Sequence, residues 1–460
     1  SKNFTVLHYA CESGNLELVK FLVDFNAVDI ESTNRRDENL LHCAVKSGSI
    51  ELVKYLVKMK KININACGGL GDQTCLQIAC KNNNMEIVRY FVKHLKADLT
   101  INDSRNSNVL FYACAAGNLE LFKYLQSKGK FDLKWKNDRG ENVLHLACKS
   151  GKFELVDYII KQKQVNIQDK DEYGGTVLHF ATESGNLDLV KYLLSFKQID
   201  FNSKNGYKET TFLHDICEIG DLDIVKRIIS LNRVNLNSLD SSGETIIHHA
   251  CKSENLDLVK HLLSLNIIKL TSKDVESKTL LHSAVESGDI SIVKHIVSLG
   301  KIGINTLDSD YKTPLHYACE NGNYEIAEYL LSLPGIKVNI QDSNNETPLH
   351  CACKSEDLEL VKLLLDQKET DISLTGDDNK TVLHYVCDDG NLELAKFLAS
   401  KHEFDYNARD SDSKTLLHYA CNSGNIELVK YLMKKDGINP NAKDNNVKTI
   451  LHYAVESGNF

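Results

Sequence analysis

Apolar residues fall at helical spacing in short bursts, and each burst ends in a turn residue before a second begins. The stretch Thr313-Pro-Leu-His-Tyr-Ala-Cys-Glu-Asn-Gly-Asn-Tyr-Glu-Ile-Ala-Glu-Tyr-Leu-Leu331 shows the pattern in full. A hydroxyl N-cap at Thr313 and proline at the first helical position, Pro314, predict a helix start, and Gly322 predicts a left-handed stop. Asn323 is placed to cap a second helix. In the matching stretch Leu187, Val190, Leu193 and Leu194 recur at helical spacing, with Asp188 and Lys191 three apart on the wet side. Val338-Asn-Ile-Gln-Asp342 then pairs β-branched residues with turn formers and predicts a short hairpin leading into the next unit.

This helix, turn, helix, hairpin pattern recurs in phase. His8, His42, His145, His179, His214, His248, His282, His316, His350, His384, His418 and His452 occupy one position, and Gln77 and Phe111 fill the two gaps. Neighbours are spaced by about 34 residues, so the chain reads as about fourteen copies of one unit, the first and last incomplete. A unit of this size buries no core alone and must stack on its neighbours, which predicts an all-α solenoid over residues 1–460 as a single domain.

The signature Thr-Pro-Leu-His-x-Ala, intact at Thr313 to Ala318 and Thr347 to Ala352, and the turn pairs Gly14-Asn15, Gly185-Asn186, Gly220-Asp221, Gly288-Asp289, Gly390-Asn391 and Gly424-Asn425 make this chain resemble the ankyrin-repeat family along essentially its whole length. The resemblance implies helix-turn-helix units joined by short β-hairpin loops, with partners bound on a concave face made by hairpin tips and first helices. The chain departs from the family pattern in keeping the proline in only two units, and in most units being one residue longer than the family norm. The third unit, Gly69 to Ile101, departs most, with Gln77 for the histidine and Asn83 for the turn glycine. Local geometry is expected to be least regular there, with Gly68-Gly-Leu-Gly71 as a loosened hairpin.

Composition changes the picture little. No apolar run approaches the ~20 residues a membrane helix needs, so no membrane span is predicted. Fourteen cysteines raise the question of a disulfide framework, but ten of them (Cys11, Cys80, Cys114, Cys148, Cys217, Cys251, Cys319, Cys353, Cys387, Cys421) share the slot after the signature alanine. Stacked helices stand about 8–10 Å apart, beyond the ~7 Å a disulfide spans between Cα atoms. The thiols are therefore read as free, small, buried side chains in a cytoplasmic or nuclear protein. The chain opens inside a unit and closes at Phe460 where a second helix should begin, leaving Leu451, Ala454 and Val455 uncovered. An excerpt of a longer chain is expected, with self-association through the uncapped end as one alternative.

Candidate chemistry is sparse. The histidines stand a full repeat apart, too far to share a zinc bonded at about 2.0 Å, and their place at the helix start predicts hydrogen bonds to the capping threonine. The adjacent pair His248-His249 points to different sides of its helix, and Cys351 and Cys353 lack the spacing of a zinc site. Asn3-Phe-Thr5 and Asn345-Glu-Thr347 match the glycosylation pattern by chance. No nucleophile stands with a base and an orienting partner, so no enzyme activity, cofactor or metal is expected.

What remains is surface charge, which is polarised. Residues 51–150 hold 16 Lys or Arg against 9 Asp or Glu, and residues 301–400 hold 8 against 18. The basic stretch contains the chain's single tryptophan, and Trp and Arg are the types most enriched in interface hot spots. Arg35, Arg36, Arg105, Lys134, Trp135, Lys136 and Arg139 are thus the candidate residues for binding a protein partner. The plainer alternative has Trp135 packing on a neighbouring hairpin with the lysines solvated. If these residues are not the site, the acidic segment around Asp377, Asp378, Asp388 and Asp389 is next. Nucleic acid is not expected, because the chain as a whole is acidic and has no continuous basic stripe. The main reading is a protein-binding scaffold; the runner-up is a regulatory or targeting arm of a larger enzyme or membrane channel.

Overall fold

The structure, a computed structural model, describes residues 5–24, 29–59, 62–206, 208–265 and 270–458. Asn3 and Phe460 lie outside the described residues. Among the described residues there are 27 α-helices, alternating as first and second helices of successive units, and none is long and apolar enough to cross a membrane.

The first helix of the unit at Thr313 starts on the cap predicted from sequence. Before helix Pro314–Glu320, the Thr313 hydroxyl accepts the backbone N–H of His316 and lies 2.8 Å from its Nδ1, and the backbone N–H of Thr313 donates to that same nitrogen at 3.0 Å. Nε2 then donates across to the carbonyl of Glu346 in the next unit, at 3.1 Å. One neutral imidazole thus closes its own helix start and fastens the following unit. The helix ends at Gly322 with φ 66°, a left-handed conformation that glycine adopts without strain. Glu254, Glu356 and Asn83 take the same conformation at the equivalent turn of their units.

Contacts divide the chain into two compact units, Ser1–Ile216 with Asp223–Asn235, and Cys217–Leu222 with Leu236–Phe460. In the first, helices Val6–Glu12, Leu40–Ser47, Cys75–Lys81, Val109–Ala115, Val143–Lys149 and Val177–Glu183 pack side by side as one layer. In the second, Ile246–Lys252, Leu280–Ser287, Pro314–Glu320, Pro348–Lys354, Val382–Asp388, Leu416–Asn422 and Ile450–Glu456 do the same. Small side chains at the contact, such as Ala318 and Cys319, let the helices approach, and both are fully buried. The second helices pack behind, burying Ile326, Ala327 and Leu330 in the unit that begins at Thr313.

The structure adds detail at the connections. Among the described residues, paired strands occur at only two connections, Cys67–Gly68 with Gln73–Thr74 and Lys204–Asn205 with Thr210–Thr211. Elsewhere the hairpin reduces to a turn: at Val338 to Asp342 its closing bond runs from Asp342 N–H to Glu346 carbonyl, 2.9 Å. The glycine cluster at 68–71 is not loosened; it forms one of those paired hairpins. The third unit is regular at its start, because the Gln77 amide reproduces the histidine's bonds. Its Oε1 accepts Thr74 N–H at 2.7 Å and its Nε2 reaches the carbonyls of Ile101 and Ser107. The irregularity lies at the end of its second helix, which widens into a π-turn at Phe91–Leu95.

Candidate functional site

The tips between units are built by one buried polar side chain. Asn137 accepts the N–H groups of Arg139 and Glu141 at 3.0 Å each and donates to the Glu141 carboxylate at 2.7 Å. The backbone of each tip then bonds the tip before it. In the first compact unit Gly69 N–H donates to Arg36, Ser104 to Gly71, Asp138 to Arg105 and Glu172 to Arg139, at 2.7–3.0 Å. With the main chain held this way, the side chains at these positions are free to point outward, and Arg36, Arg105 and Arg139 are all exposed.

These three arginines line one hollow of about 510 Å³, together with Lys46, Lys81 and Lys149. The acids in the same wall are already engaged. Glu38 is held by Lys46 and by Asn34, which keep its carboxyl below the usual range despite burial; Asp103 takes the Tyr112 hydroxyl, and Glu141 takes Asn137. Lys46 and Lys149 also have acidic partners. Arg36, Lys81, Arg105 and Arg139 form no ion pair among the described residues, so the hollow keeps uncompensated positive charge. Leu70, 87 % exposed, stands at its rim. Spare guanidinium groups on such a surface can take carboxylates through forked hydrogen bonds.

Trp135 does not join this hollow. Its indole N–H donates to the Asn106 carbonyl of the preceding tip at 2.9 Å, and it lines a smaller depression with Leu99, Asn108 and Phe131. Lys134 is exposed beside it, and Lys136 caps the Lys170 carbonyl at 3.0 Å. Arg35 is exposed at the same tip as Arg36 but does not line the hollow.

Along the histidine ladder the rings sit against the caps of their own helix starts, as at Thr176, Thr245 and Thr381. Burial pushes His145, His179, His248, His282, His350 and His384 down to about 4, and lowers His8, His42, His316 and His418 as well. His214 pairs with Thr211 and His452 with Thr449 in the same way. All fourteen cysteines are free, and Cys67 alone among them is exposed. Burial pushes thiols such as Cys11 and Cys43 up to about 12, which leaves them unreactive as nucleophiles.

A family model described as "Ankyrin repeats (3 copies)" matches residues 1–67, 67–134, 129–205, 197–274, 213–308, 265–342, 281–376, 333–410 and 383–460. The chain belongs to the ankyrin-repeat family. No curated protein matches it. Ankyrin repeats are in general protein-protein interaction modules.

One arrangement escaped the sequence. His249 is not paired with its neighbour His248, which serves the ankyrin cap at Thr245. Instead its ring meets Asp240, Glu244 and Glu218. Asp240 and Glu244 belong to the tip of the same unit, and only stacking brings in Glu218, 31 positions away; the available signal was that His249 sits where six other ankyrin units carry tyrosine.

Proposed function

We propose that this chain binds a protein partner through the basic hollow of its first compact unit, and that the partner offers an extended acidic segment. The observation that carries the reading is the set of three tip arginines, Arg36, Arg105 and Arg139, on one concave surface without ion pairs among the described residues. Guanidinium groups recognise carboxylates through forked, charge-assisted hydrogen bonds, and a hollow of this size takes several side chains of a peptide. Leu70 supplies an apolar contact beside the charges.

The test is affinity capture with the intact chain and with an Arg36→Glu, Arg105→Glu, Arg139→Glu variant, proteins being identified by mass spectrometry. Partners that carry acidic segments and are lost with the variant support the reading. An unchanged partner set, or capture dominated by nucleic acid, overturns it.

A second reading has one observation of its own. The tip position that carries arginine in the first unit carries Glu276, Asp310, Asp378 and Asp412 in the second. A second copy of the chain would then supply the acidic surface. Light scattering at rising concentration tests it: a salt-sensitive dimer supports self-association and a monomer removes it.

A further inference from the structure

In four ankyrin units the aspartate of the tip is closed by a tyrosine nine residues on. Tyr317 donates to Asp308 at 2.6 Å, Tyr419 to Asp410 at 2.5 Å and Tyr453 to Asp444 at 2.7 Å, and Tyr112 donates to Asp103. Asp240 keeps the same tip geometry, accepting Ser242 and Glu244 N–H groups at 2.9 and 2.8 Å, but its partner nine residues on is His249. A hydroxyl that donates one proton has been replaced by a ring with two nitrogens, and both face carboxylates. Nδ1 lies 2.9 Å from Glu218 Oε2; Nε2 lies 3.2 Å from Asp240 Oδ2 and 3.5 Å from Glu244 Oε2.

We propose that Asp240, Glu244 and His249 form a binding site for a divalent transition-metal cation of the zinc class, with Glu218 orienting the histidine ring. Three lines of geometry and charge support it. The three ligand atoms all lie within 4.8 Å of one another. Ligands bonded at about 2.0–2.2 Å to a tetrahedral zinc stand about 3.3–3.6 Å apart, close to the 3.2 and 3.5 Å between Nε2 and the two carboxylates. A carboxylate on the far nitrogen of a metal-bound histidine is the usual outer partner, fixing the ring with its other nitrogen toward the metal, and Glu218 is placed for that role.

Charge points the same way. Asp240 and His249 have side chains only 4 % and 5 % exposed, and Glu244 is 12 % exposed. Lys252, on both Glu244 oxygens at 2.7 and 2.8 Å, is the ammonium that meets this group. Glu218, Asp240 and Glu244 together thus outnumber it. A dication at Nε2 compensates the excess that one lysine leaves. Binding through Glu244 Oε2 leaves Oε1 for Lys252.

The test uses the full chain, stripped of metal by dialysis against chelator and titrated with Co²⁺ as a spectroscopic probe, with Zn²⁺ in competition. The expected result is a visible ligand-field band saturating at about one equivalent, without the near-ultraviolet charge-transfer band of cobalt thiolate, and displaced by Zn²⁺. His249→Tyr restores the residue used by four other units, so it should keep the helical circular dichroism while losing the band. Glu218→Gln should keep the band and weaken binding by about 10–100-fold. Zn²⁺ should raise Tm of the unmodified chain and not of His249→Tyr. No band, a band that survives in His249→Tyr, or one carrying thiolate charge transfer would each overturn the proposal, the last by moving the metal to cysteine.

Discussion

At the tip position that receives the next tip's N–H, the first compact unit carries Arg36, Gly71, Arg105, Arg139 and Tyr173, whereas the second carries Ser242, Glu276, Asp310, Asp378 and Asp412. The backbone is the same in both: Asp138 donates to Arg105 at 3.0 Å, and Ser343 donates to Asp310 at 2.7 Å. Since the main chain is held by its own bonds, the side chain at that position contributes nothing to closing the turn and is free to vary. The two units have used that freedom to opposite ends. Arginines in the first leave a hollow with spare positive charge. In the second, acids gather instead, and at the helix end Asp389 is pushed up to about 6, by partial burial first and by Glu356 and Asp388 after it.

The units also differ in how they close their helix starts, and acid should separate them most. Among the described first helices of the second unit the histidine is present at each start from His248 to His452, while the first unit has Gln77 and Phe111 at two of its starts. Folded histidines at about 4 lie below the ordinary 6.5, so the unfolded chain takes up protons first. Stability from these groups is therefore complete above about pH 6.5 and is lost as pH falls toward 4, each histidine opposing protonation by roughly 3 kcal/mol. Asp389 acts in reverse, since its protonation relieves the cost of a partly buried charge and the repulsion from Glu356 and Asp388, but it is a single carboxyl. Hydrogen exchange followed from pH 7 to 4.5 should show helices Ile246–Lys252 and Leu280–Ser287 losing protection before Cys75–Lys81 and Val109–Ala115. Simultaneous loss in both would remove the histidines as the cause.

Charge reversal at Arg36, Arg105 and Arg139 should cost about 100-fold in affinity for an acidic partner at low salt, roughly 2.7 kcal/mol, and less at high salt. Tm should stay unchanged, because the tips are held by backbone bonds. The equivalent reversal in the second unit, Glu276→Arg with Asp310→Arg, should leave that affinity intact. Surface plasmon resonance with both variants decides whether the comparison is functional or merely compositional.

A smaller effect is expected at the turn of the second unit where Glu356 stands in the left-handed conformation, φ 59°. Glu356→Gly should stabilise by about 1 kcal/mol, read from the denaturant midpoint, since non-glycine residues are strained there. The smallest is at Trp135. Because its indole N–H is bound to Asn106 and its ring lies outside the basic hollow, Trp135→Ala should change partner affinity by less than about twofold while lowering Tm slightly. A tenfold loss of affinity would place the interface on the other edge of the tips.

Much of this was legible in the sequence because it is local. Thr313, His316 and Gly322 each act within a few residues of their own position, so period, caps and turns could be read one unit at a time. Gln77 shows where that reading fails. A residue-by-residue pattern scores it as erosion, yet an amide offers an acceptor and a donor at nearly the histidine's spacing, and the unit start is regular. Trp135 and Arg139 were grouped because they share one tip, but a tip has two edges, and sequence distance does not say which edge a side chain takes.

The sequence by itself determined the repeat, the alternation of helices and the buried thiols, because each follows from contacts between a unit and its immediate neighbours. Only the tertiary structure decided which charges share a surface and which partner each buried polar group meets. Arg36 and Arg139 lie about a hundred residues apart and line one hollow, and Glu218 reaches His249 across 31 positions. Stacking converts a 34-residue step along the chain into a side-by-side contact in space, and no local pattern records which of the stacked side chains will be left without a partner.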